Sequence, residues 1–146
     1  MEKIIHLLDI AAPRQTVFGA LTSQEGLSRW WTRRVKSDDR VGGLIYFTFV
    51  EGFNPDMEII ELTPDAIVKW LCVGGHENWF ESTLTFTLRD VMPGTRLIFE
   101  QVFKRNQTEE DYGAYNYKWG YFLTSLKRYC ESGQGYPYAA EPRRKS

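Results

Sequence analysis

The sequence predicts an α+β domain: a curved antiparallel sheet of about six strands, two short helices after the first strand, and a long C-terminal helix packed across the sheet. Three observations predict it. Strand-like runs follow one another from Leu44 to Lys104, joined by segments too short for parallel crossovers. Two of those runs alternate apolar and polar residues. Finally, apolar residues recur three and four positions apart between Thr108 and Gly133, the stripe of an amphipathic helix.

Ile4–Ile10 reads as the opening strand, and its place is at an edge of the sheet. Ala11-Ala12-Pro13 ends it, and Pro13 suits a first helical turn before Val17, Phe18 and Leu21. A second short helix runs from Ser23, a good N-cap, to the pair Trp30-Trp31. The strands that follow are Leu44–Val50, Met57–Leu62, Ala66–Val73, Phe80–Arg89 and Arg96–Lys104. Breakers rich in Gly, Pro, Asn and Asp separate them, as in Thr63-Pro64-Asp65 and Met92-Pro93-Gly94. In the long helix, Tyr112, Tyr115, Trp119, Phe122, Leu123, Leu126 and Cys130 form the stripe. Thr108-Glu109-Glu110-Asp111 reads as a capping box with acids in the first turn, and Gly133 as the stop. At 1.5 Å per residue the helix spans roughly 30–35 Å, enough to cross a sheet. Residues 1–135 read as one domain and 136–146 as a tail.

Composition narrows the function. The 146 residues carry a formal net charge of −1, so no general basic field holds a phosphate backbone, and nucleic acid is excluded as a partner. No run approaches the roughly 18 apolar residues of a membrane span. Two cysteines, Cys72 and Cys130, make no disulfide scaffold, and the expected location is cytoplasmic. Aromatic residues make up 15% of the chain, which calls for a thick core, a lined cavity or an adhesive surface.

The alternating strands favour a pocket. Phe80, Ser82, Leu84, Phe86 and Leu88 share one row, and Leu97, Phe99, Gln101 and Phe103 another. Both rows need the long helix as a cover. A buried polar side chain without a partner costs about 1–3 kcal/mol, so Ser82 and Gln101 require partners. The partner is either protein, water or a bound molecule. The Trp119 stripe is likewise either core or ligand contact, and Gly120 marks a close approach by a strand or a ligand. The candidate ligand-binding residues are Trp31, Phe47, Phe49, Trp70, Ser82, Leu84, Phe86, Phe99, Gln101, Tyr115, Trp119 and Leu123.

The order of elements resembles the START-like helix-grip (SRPBCC) superfamily. More narrowly, the chain is similar to the family of the activator of heat-shock protein 90 ATPase in its small stand-alone form. Pro13 with Val17-Phe18 and Ala20-Leu21-Thr22 resembles that family's first helix, and Leu27 with Trp30-Trp31 its second. Gly42-Gly43 and the run Ile60–Val68 leading to Trp70 resemble its middle strands. Gly94-Thr95-Arg96-Leu97 resembles the turn into its last strand, and Trp119, Leu123 and Leu126 its closing helix. The resemblance implies a cavity between sheet and helix that takes lipid-like, aromatic or polyketide-like molecules. Where many relatives carry a histidine in the last strand this chain carries Gln101, so an activity resting on that histidine is not implied.

Catalytic and metal signatures are missing from the sequence. His6 and His76 lack ligand spacing with Cys, Asp or Glu, and there is no phosphate loop or nucleophile elbow. Among the acids, Glu58, Glu61, Glu81 and Glu100 are candidates for acid–base work only if they face the interior, and alternation turns Glu81 and Glu100 outward. The expected function is therefore binding of a small hydrophobic molecule, without cofactor or metal, by a monomer or homodimer. Two other functions stay open: a module that docks on a chaperone through exposed aromatics such as Phe53, Trp79 and Tyr136, and a polyketide-cyclase-like enzyme.

Overall fold

The computed structural model describes residues 3–50 and 53–139. Seven antiparallel strands form one curled sheet: β1 (Lys3–Ile10), β2 (Arg34–Ser37), β3 (Leu44–Thr48), β4 (Asp56–Thr63), β5 (Ile67–Gly74), β6 (Thr83–Val91) and β7 (Gly94–Val102). Their spatial order is β1-β7-β6-β5-β4-β3-β2. Two short helices, α1 (Arg14–Thr22) and α2 (Gln24–Trp30), follow β1, and α3 (Glu109–Ser132) crosses the sheet.

The count is seven strands rather than about six because β2 was not foreseen. Its sequence, Arg-Val-Lys-Ser, offers one apolar residue, Val35, which turns inward opposite Phe47. The sixth strand starts at Thr83 rather than Phe80, because residues 77–79 coil into a single helical turn before it.

Inner-face residues meet across the ladder in register: Ile59 opposite Trp70, Trp70 opposite Leu84, Leu84 opposite Gln101, and Phe86 opposite Phe99. This is the period-two rule applied strand after strand, which fixes one buried face. Register shifts at Asp56/Met57 and Ile59/Glu61 bend β4 and help curl the sheet.

The helix ends obey their sequence signals. Ser23 Oγ accepts from the Gly26 N–H at 2.9 Å, and Thr108 Oγ1 accepts from the Asp111 N–H at 3.1 Å. Gly133 stops α3 at φ 85°, a left-handed conformation suited to glycine. Gly26 is required for packing, since a Cβ there would lie 2.7 Å from Ala20 Cα, where α2 turns back on α1.

Helix α3 presents Trp119, Leu123, Ser125 and Leu126 to the sheet. It also holds the free edge of β1. The Tyr112 hydroxyl donates to the Lys3 carbonyl, and Lys127 Nζ donates to the Asp9 carbonyl at 2.6 Å. After α3, Tyr136 N–H donates to Ser125 Oγ at 2.8 Å, and Tyr138 pairs with the backbone of Trp31 and Arg33. Of the expected tail, residues 140–146 lie outside the described residues. Among the described residues, no helix is long and apolar enough to cross a membrane.

Candidate functional site

The site lies where the first half of α3 meets the concave face of the sheet. Trp31 is its hub. Placed at the end of α2, it is 2% exposed, and its ring centroid lies 4.4 Å from Phe47, 5.2 Å from Phe49, 5.0 Å from Trp119 and 6.1 Å from Trp70. Trp119 packs on Phe99 at 4.3 Å and lies almost parallel to Trp79 at 6.0 Å. Offset and edge-on rings of this kind each add about 0.5–1.5 kcal/mol beyond the area they bury.

The two polar residues of the inner rows are satisfied by protein. Trp119 Nε1–H donates to Gln101 Oε1 at 2.8 Å, and Gln101 Nε2–H donates to Ser82 Oγ at 3.2 Å. Gln101 therefore pins the tryptophan of the helix to β7 and to Ser82, the residue just before β6. The close approach expected at Gly120 is not found: the nearest atom to an added Cβ is His6 Cε1 of β1 at 3.6 Å, an ordinary contact, so the neighbouring strand does not require glycine there.

The twelve predicted residues divide into two sets. Trp31, Tyr115 and Trp119 line a cleft between α3 and the β5–β6 connection, together with Phe53, Trp79, Lys118 and Phe122. Phe47, Phe49, Trp70, Leu84, Phe86, Phe99 and Leu123 form the packed core beneath it, along with Ser82 and Gln101. The cleft holds about 20 Å³, room for a single water, so the protein's own rings occupy the space where a guest was expected.

Four lining residues were not among the twelve. Phe53 and Trp79 are, on sequence, candidates for an exposed docking patch. Trp79 is instead 2% exposed and turned inward, and Phe53 is half-buried against it at 5.1 Å. An aromatic in a polar turn reads as surface, but the helical turn at residues 77–79 folds Trp79 back beneath Tyr115. Phe122 belonged to the recognised stripe, whereas nothing in the sequence singled out Lys118.

A polar rim closes the cleft. The Tyr115 hydroxyl lies 3.2 Å from His76 Nε2 and accepts from Asn78 Nδ2 at 3.0 Å, while Asn78 also donates to Asp111 at 3.3 Å. Burial pushes the Tyr115 hydroxyl up from its usual pKa, and the Asn78 bond pulls against that shift. Among the described residues the buried polar side chains are Thr32, Ser82, Thr95, Gln101 and Ser125, all poor acids or bases near neutrality. Both thiols are free, and burial pushes Cys72 up to about 11 and Cys130 to about 12, which leaves them protonated and unreactive. Among the described residues no group of three or more His, Cys, Asp or Glu is placed to hold a metal ion.

Comparison with known proteins places this geometry. Residues 11–131 match the family described as Activator of Hsp90 ATPase homolog 1-like protein. No curated protein matches. Among solved structures, the Aha1 dimer from Colwellia psychrerythraea is 33% identical with a TM-score of 0.81, covering 92% of this chain and 100% of that one. Protein MLL2253 from Mesorhizobium loti is 23% identical with a TM-score of 0.75, covering 87% and 95%. CalU16 from Micromonospora echinospora is 22% identical with a TM-score of 0.71, covering 90% and 77%, and like MLL2253 it speaks to the fold alone. The curled sheet gripping one long helix is that of the START-like superfamily, and the chain belongs to the Activator of Hsp90 ATPase homolog 1-like family.

Proposed function

We infer that the chain binds small apolar molecules between the sheet and α3, with Trp79 moving aside to admit them. The observation that carries this is the aromatic-walled cleft and the segment on which Trp79 sits. Gly75, at φ 79°, and Glu81, at φ 66°, bracket that segment. A non-glycine residue in the left-handed region costs about 1–2 kcal/mol, and such strain collects at ligand clamps. Trp79 also buries its indole N–H without a hydrogen-bond partner, so its closed position is the less favourable for a polar group.

Magnitudes set the class of guest. Exposing a large buried apolar side chain costs about 1.5–3 kcal/mol, while each buried CH₂ of a guest contributes about 0.8 kcal/mol. About two to four buried methylene groups therefore offset the displacement of Trp79. The test is titration with decanol, and separately with the flavonoid quercetin, followed by tryptophan emission and calorimetry. A saturable change in emission with matching heat is expected. Emission indifferent to both probes overturns the reading.

One observation favours a second function. Tyr117 is 76% and Tyr121 47% exposed on α3, and the Tyr121 ring packs at a tilt of 60° against Tyr136, 4.9 Å between centroids. These tyrosines, outside the cleft, suit a protein contact of the kind the family's description suggests. Retention of this chain on purified Hsp90, lost in the double variant Tyr117→Ser/Tyr121→Ser, would support it, and equal retention of both would sink it.

A further inference from the structure

We propose that the guest is an apolar carboxylate, its chain in the aromatic cleft and its head on Lys118 at the rim, an inference that rests on the binding function above. Six aromatic residues and one cation line the cleft. That cation is exposed and, like Lys69 and Lys104, is in no ion pair among the described residues, so its charge is available to a ligand. Two acids of the surrounding segments have partners of their own: Asp111 accepts from Asn78, and Glu77 pairs with Arg105.

The chemistry of the lining selects one kind of head group. An ammonium carries three donors and no acceptor, on a stem long enough to lie over apolar rings while the charge stays at the water boundary. The same cleft contains a second donor without a partner, the buried Trp79 Nε1–H. A solvated ammonium at the mouth and an unpartnered indole N–H beside an apolar wall suit a ligand that is greasy along its length and acceptor-only at one end. An ionised carboxylate fits both requirements, an alcohol fits them weakly, and an amine is repelled.

The experiment compares decanoate, decanol and decylammonium by calorimetry at neutral pH, with the parent chain and with K118Q. Because Lys118 is exposed, the substitution leaves the core untouched. Decanoate should bind about tenfold more tightly than decanol, equivalent to about 1.4 kcal/mol, and decylammonium more weakly than either. K118Q should bring decanoate down to the level of decanol, abolishing the preference. Trp79→Phe, which keeps a ring but removes the N–H, should weaken decanoate by a few-fold. Equal affinities for decanoate and decanol in the parent chain, or an undiminished preference in K118Q, overturn the inference while leaving apolar binding intact. Failure of all three probes to bind overturns the binding function and this inference together.

Discussion

Trp119 and Trp79 lie nearly parallel, their ring centroids 6.0 Å apart, and each is 2% exposed. They are held in different ways. Trp119 projects from the middle of a 24-residue helix, and its N–H is bound to Gln101, itself bonded to Ser82. Trp79 ends a three-residue turn between two left-handed residues, and its N–H has no acceptor. Equal burial thus conceals unequal anchoring. One indole is bonded into the sheet, and in the proposed binding function the other is the door.

The largest expected effect tests that division directly. Trp119→Ala should cost about 3–5 kcal/mol, the usual range for deleting a buried aromatic, whereas Trp79→Ala should cost at least about 1 kcal/mol less. Urea denaturation midpoints at constant slope measure both, and equal losses would abolish the distinction. Next in size, Gln101→Leu should cost about 1–3 kcal/mol, because it strands the Trp119 N–H and the Ser82 hydroxyl inside the protein. Hydrogen exchange at the Trp119 indole should quicken in that variant while the Trp79 indole stays as it was. The smallest effect is a gain. Gly120→Ala should stabilise by about 0.5–1 kcal/mol, since the new methyl meets His6 at ordinary contact distance and removes a helix-weakening glycine. A loss there would mean that α3 sits closer to β1 than the structure places it.

What could be foreseen in the sequence follows from the range of the forces involved. The ends of α3 were legible because caps act over three or four residues: Thr108 and Gly133 signal locally what they do locally. The inner rows of β6 and β7 were legible because alternation survives any change of partner. Strand β2 was not, because a four-residue edge strand with one inward Val35 carries almost no period. The partners of Gln101 were also beyond reach, since Ser82 and Trp119 meet it only after strands and helix have been assembled. Lys118 was overlooked because a lysine flanked by aromatics looks like any solvated helix position until the cleft beside it is seen.

The pairing of β1 with β7 bears on how the chain is made. Lys3 is opposite Val102, and Ile10 is opposite Thr95. A ribosome adding roughly 5–20 residues per second releases β7 roughly 5–20 seconds after β1, and during that delay Ile4 and Ile10 have no sheet to join. Contacts this distant along the chain also slow folding. A nascent chain of this protein therefore spends its synthesis with an unmatched sticky end, the period in which a holding chaperone would matter most to its yield.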